Sequence, residues 1–173
     1  TKQSDKGTIE RGARIIGTTT IKNVNIGSLA VVYGARVLEE GTISSCEEDP
    51  VVIGEAVTAK GFIVLSGSKI DGGAILENVF IGQSVKIGRQ FSAEHSAIFA
   101  NSEGFHSEAV SIFGGPYTVT HHKSTLLIAG QYSFYNAGSG TNKSNHLYKL
   151  GPLHQGTLER GSKTGSFSYM MWP

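Results

Sequence analysis

Between residues 75 and 99 the chain repeats in sixes. Ile75, Ile81, Ile87, Ala93 and Phe99 form one ladder, and Val79, Val85, Phe91 and Ala97 form a second, offset by four. A glycine follows Ile81 and Ile87. An α-helix would repeat near 3.6 residues and a half-buried strand at 2, so neither explains the pattern. A period of six with a glycine turn predicts a short strand, a corner, and another short strand, wound into a triangular prism. The first ladder is expected to fill the prism and the second to pack beside it near the corners. Glycine suits a corner because it takes φ > 0 without steric cost.

The sixes begin at Ile9, Ile15 and Ile21, and the segment IKNVNIG (21–27) matches LENVFIG (76–82) at an offset of 55. Coils of about 18 residues would leave one extra residue between the copies, and residues 44–52, with the Asp49-Pro50 turn signal, are its expected place. The coils resume with Ile53, Val57, Ala59, Ile63 and Leu65. KGTIERGARI (6–15) also matches QGTLERGSKT (155–164), so coil geometry is expected again near the end. The 23 glycines against 4 prolines fit many tight corners, and no Gly-x-y period points to collagen. No helix with caps and amphipathic spacing stands out.

The spacing [LIV]-G-x-x-[STAV]-x, seen as IGQSVK (81–86) and IGRQFS (87–92), resembles the hexapeptide repeat of left-handed parallel β-helix proteins. That resemblance implies an all-β fold: a left-handed parallel β-helix, a triangular-prism solenoid, with loop insertions in the C-terminal third. The regular coils are expected over about 9–113 and less regular, loop-bearing coils over about 114–173, all within a single β-helix domain spanning 1–173. Most of that superfamily are acyltransferases using acyl-CoA or acyl carrier protein, and they act as homotrimers. One branch contains γ-class carbonic anhydrases. Function rests on sites placed on such a scaffold, not on the scaffold itself.

Six histidines lie between residues 95 and 154. His121 and His122, followed by Lys123, suit general-base work because imidazole titrates near neutrality. Adjacent strand residues point to opposite faces, so the pair is not expected to chelate one metal. The bland alternative is a solvated pair on a strand. His106 lies in AIFANSEGFHSEAVSIFGG (97–115), which resembles the catalytic coil of the sugar-nucleotide acyltransferases of lipid A synthesis. There an Ala-Asn pair precedes the catalytic His and an Ile-x-Gly-Gly run follows it; Ala100-Asn101, His106 and Ile112 to Gly115 keep that order. The spacing is shorter, and Phe105 stands where the family has glycine. Glu103 and Glu108 are expected to orient the His106 imidazole; the alternative is a polar corner.

The tract from 144 to 163 gathers His146, Lys149, His154, Arg160 and Lys163 among glycines. His154 is a further candidate base. Cations beside free backbone N–H groups are what a phosphate or pyrophosphate needs, so His146, Lys149, Arg160 and Lys163 are the expected ligand-binding group. Hydrogen-bonded polar ladders along stacked coils are the competing explanation. No zinc spacing is present there, and no metal ligands are assigned. Residues 115–173 also resemble an uncharacterised family of long bacterial hexapeptide-repeat proteins classed as transferases, which implies a longer parent chain.

Three functions follow as expectations. The first is acyl transfer to a sugar or nucleotide-sugar, with a histidine as general base and acyl-CoA or acyl carrier protein as co-substrate. The second is a non-catalytic β-solenoid that binds a ligand or serves as a scaffold. The third is a His-ligated metal site of carbonic-anhydrase-like type. A homotrimer is expected, with Val31, Tyr33 and Phe80 offering apolar surface on flat faces. The net charge of +1 without a basic stripe argues against nucleic acid. No apolar run approaches a membrane span, and the lone Cys46 fits a reducing, cytoplasmic setting. The chain begins without Met and ends on MMWP, which reads as a piece of a longer polypeptide or a processed chain.

Overall fold

The computed structural model describes residues 6–143 and 156–170. Among these residues there is no helix, and every paired strand is parallel to its neighbours one coil away. Strands such as Arg14–Ile16, Val31–Tyr33, Val52–Ile53 and Lys69–Ile70 stack into an eight-stranded sheet, the first face. The longer strands Thr20–Ile26, Val37–Ser44, Thr58–Leu65 and Ile75–Ile81 belong to a second sheet. Each bends at one residue that the pairing skips: Asn23, Glu40, Gly61 and Asn78, with φ of 52, 51, 60 and 53°. Each long strand therefore supplies two faces, and the coil is triangular. The chain is a parallel β-solenoid, as the sixes predict.

The coil is shorter than the expected 18. Lys86 pairs with Glu103, 17 residues on, and Arg14 with Val31 at the same interval. Val31 instead pairs with Val52, four residues beyond that interval, and the surplus lies before Val51, whose N–H donates to the Ser45 hydroxyl at 3.0 Å. The offset of 55 thus arises from 17-residue coils and one longer coil, with the insertion where the Asp49-Pro50 signal places it.

A 17-residue coil is two sixes and a five. The inner pairs Val79/Ile81, Val85/Ile87 and Phe91/Ala93 advance by six, but the next pair, Ser96/Ile98, comes after five. The third corner, where Asn78 and His95 sit, is the tighter one. A strict ladder of six therefore slips outward once per coil. Ile81, Ile87 and Ala93 are inside as expected, but Ile75 is 56% exposed and Leu76 takes its place. Phe99 and Ala97 lie outside the interior, where Ile98 replaces them, and Ile63 yields to Phe62 and Val64 in the same way. Each fully buried aliphatic contributes about 1.5–3 kcal/mol, so this one-residue phase decides which side chains hold the coils together.

The match holds in space over the described residues 6–15 and 156–164. Ile9 bridges to Ile26 and Leu158 pairs with Tyr132, equivalent places on the third face, and Gly12 and Gly161 occupy left-handed corners with φ of 77° and 84°. No helix of the described chain is long and apolar enough to cross a membrane.

Candidate functional site

The second corner, between the first and second faces, carries a run of unusual residues on three successive coils. Arg89, His106 and His122 occupy it with left-handed backbone, at φ of 49, 48 and 58°. This region disfavours most residues bearing a Cβ, with asparagine, aspartate and histidine the commonest to enter it. The backbone ladder holds the corner in place: the His106 N–H donates to the Arg89 carbonyl at 3.1 Å. Arg89, His106 and His122 with Phe105 and His121 line a cleft of about 190 Å³.

His121 stands in the column of Phe105, since Gly104 pairs with Thr120 immediately before them. The two rings meet edge to face at 4.9 Å, and His122 meets His121 edge to face at 5.8 Å. Below, Gly88 pairs with Phe105, and a Cβ there would come within 3.3 Å of the ring, so the glycine makes room for it. The Arg89 guanidinium sits 5.6 Å from the Phe105 centroid. From inside the prism, buried Ser124 donates to the His121 carbonyl at 3.0 Å and fixes the backbone that carries the imidazole.

Glu103 supplies the charge. Its Oε1 accepts from Lys86 Nζ at 3.0 Å, and its Oε2 lies 3.3 Å from His121 Nε2. That nitrogen is shut off from solvent and makes no aligned hydrogen bond, so the contact with Glu103 acts through charge and proximity. The Lys86 hydrogen bond, opposed by burial and aided by the charges of Lys86 and His121, holds the Glu103 carboxyl below its ordinary pKa. A carboxylate facing one ring nitrogen favours the proton there and leaves the other, Nδ1, as the lone-pair side.

Three of the four expected bases, His106, His121 and His122, come together in this cleft. Two details of the expectation are corrected. The strand Val119–Thr120 ends before the histidine pair, so strand alternation does not apply and both imidazoles face the same cleft. Glu103 serves His121 rather than His106, while Glu108 lines a separate groove beside Glu77 and Glu94. Arg160 and Lys163 lie elsewhere: the Arg160 guanidinium covers the Phe134 ring at 4.6 Å, and Lys163 bridges to Asn136 on the first face. His146, Lys149 and His154 fall outside the described residues. Among the described residues no group of three or more His, Cys, Asp or Glu is arranged to hold a metal ion.

Arg89 and Phe105 are the members that the sequence reading missed. Arg89 looks like an ordinary variable position of IGRQFS, and Phe105 like a mere departure from a family glycine. A 17-residue step would have joined Arg89 to His106.

The model of one family, described as a domain of unknown function (DUF4954), matches residues 1–173, and the chain belongs to that family. No curated protein and no solved structure matches it.

Proposed function

We propose that this DUF4954 chain is an acyltransferase acting on a hydroxyl of a sugar or nucleotide-sugar, with His121 as general base. The observation that carries the reading is Glu103 Oε2 at 3.3 Å from His121 Nε2, at the edge of a cleft that also holds Arg89. Nδ1 of His121 takes the proton from the acceptor hydroxyl, and the oxygen attacks the thioester carbonyl of acyl-CoA or acyl carrier protein. The C–O bond forms, the C–S bond breaks, and the departing thiolate takes the proton back from the imidazolium. Glu103 stabilises that imidazolium, as a carboxylate does behind a catalytic histidine. Arg89, with His106 and His122 as further donors, receives a phosphate of the nucleotide-sugar or donor. The likeness of the repeat to the hexapeptide acyltransferases supports the same chemistry, and their acyl donors imply a cytoplasmic setting. Assembly as a homotrimer belongs to this proposal, and sedimentation at micromolar concentration tests it.

A second reading, a non-catalytic solenoid that binds a nucleotide-sugar, is favoured by the packing of His121 between Phe105 and His122. Thiol release from acetyl-CoA, assayed with a panel of sugars and nucleotide-sugars, separates the two. Transfer predicts turnover in the wild type and a loss of about 10²–10⁴-fold in His121→Ala. Nucleotide-sugar binding by calorimetry with no thiol release for any acceptor would instead establish the binding solenoid.

A further inference from the structure

We propose that a second groove, on the third face, binds a neutral carbohydrate. The groove measures about 350 Å³ and is lined by His95, Ser111, Phe113, Gln131 and Thr157 over a floor that includes Gly156. Its origin is a register shift. Val110 pairs with Leu127, but Ile112 pairs with Gly130, so the strand Thr125–Tyr132 carries one residue more than Glu108–Gly114 at the third corner. Such a bulge interrupts the ladder and bends the strand, and bulges are over-represented beside binding sites.

The lining selects the ligand. None of the described lining residues is Lys, Arg, Asp or Glu. His95 is committed to its neighbours, with Nδ1 3.1 Å from Glu94 and Nε2 3.3 Å from the Asn78 amide. Among the described residues a phosphate or carboxylate would find no Lys or Arg here, in contrast to the Arg89 cleft. A wholly apolar ligand would bury the Gln131 amide and the Ser111 and Thr157 hydroxyls without partners. Those groups donate and accept, as an array of sugar hydroxyls requires. Phe113, 47% exposed, supplies the apolar element. It is backed by Phe99 at 4.7 Å, itself backed by Phe80 at 5.3 Å, so the ring is held by a column of aromatics. An aromatic platform beside neutral hydrogen-bonding groups matches the C–H face and hydroxyl rim of a pyranose. The groove is separate from the His121 cleft, and the proposal stands whether or not that cleft performs transfer.

The test titrates the full 173-residue chain with neutral oligosaccharides (cello-, chito-, malto- and laminari-series hexamers), followed by amide NMR shifts and calorimetry. At least one series is expected to bind and to shift Phe113, Gln131 and Thr157. Phe113→Ala and Gln131→Ala, each checked for an unchanged thermal transition, are expected to weaken binding about tenfold, and His121→Ala to leave it unchanged. Absence of binding by all four series, shifts that map to Arg89 and His122, or undiminished affinity in both groove variants would overturn the proposal.

Discussion

Coils before Phe99 and coils from Ser102 onward stack in parallel and fill the prism differently. On the first face the inner pairs are Ala30/Val32, Val51/Ile53, Ser68/Ile70 and Val85/Ile87; they then become Ser102/Gly104, Thr118/Thr120 and Tyr135/Ala137. Parallel backbone pairing runs through both regions, with a register shift between Val110 and Ile112 in the later one. In the later coils hydroxyls take over part of the role of aliphatics by bonding from coil to coil. Ser102 donates to the Gly115 carbonyl at 3.3 Å and accepts from the Thr118 N–H at 3.1 Å, and the Thr118 hydroxyl donates to the same carbonyl at 2.8 Å. Farther on, the Thr164 hydroxyl meets the Tyr135 and Thr141 hydroxyls at 3.0 and 2.7 Å and accepts from the Gly138 N–H at 2.9 Å. The difference teaches that the repeat needs paired backbone and filled volume, not a particular apolar ladder. The described part of the later region also carries the His121 cleft on its outer surface.

The aliphatic side of this comparison gives the largest effect. Ile81→Asn should cost about 3–5 kcal/mol, because it leaves a cavity and an amide without partners in the prism. Ile75→Asn, one position off the interior, should stay within about 0.5 kcal/mol. Urea unfolding of the two variants measures both, and equal losses would mean that the phase of the 17-residue coil is wrong.

The hydroxyl side should be weaker. Ser102→Ala removes the acceptor of a buried Thr118 N–H and should cost about 1–3 kcal/mol, with recovery in Ser102→Thr if the bond rather than volume is responsible. Denaturant unfolding of the three proteins reads this out.

Alkali should loosen the later coils first. Burial raises the pKa of Tyr132 and Tyr135, whose rings stack at 5.2 Å, above the ordinary 10.0. A group whose pKa rises on folding stabilises the fold fully below its unfolded pKa and loses that contribution as pH climbs through the folded value. Hydrogen exchange between pH 9 and 12 should therefore show protection lost around Tyr132 before it is lost around Ile81. Simultaneous loss would erase the distinction between the regions.

The smallest effect lies on the surface. Lys86→Met should let the Glu103 pKa rise toward the ordinary 4.5. The depressed carboxyl adds stability above that value and loses it as pH falls through the folded pKa; for an exposed pair the amount is less than about 1 kcal/mol. Carboxyl NMR titration of Glu103 checks the direction.

The solenoid was legible because Ile81, Ile87 and Ala93 happen to fall within one uninterrupted pair of sixes. Its true period was not, since the third corner carries no constant marker residue: a glycine stands there only at Gly61 among the coils through His95, and Asn23, Glu40, Asn78 and His95 take the same left-handed backbone. Three of the five cleft residues, His106, His121 and His122, were legible for the same reason that they are chemical, because imidazoles are conspicuous. Proximity in sequence points Glu103 to His106, whereas stacking brings it to His121, one coil on. Arg89 and Phe105 carried no signal apart from the correct coil length.

The central claim is that Glu103 and His121 form a working pair at the second corner, and the tautomer of His121 tests it most directly. Long-range ¹H–¹⁵N NMR of the imidazole at a pH where it is neutral should show the proton on Nε2 and a bare Nδ1 in the wild type, with that preference diminished in Glu103→Gln. A proton resident on Nδ1, or a tautomer indifferent to Glu103→Gln, would contradict the account.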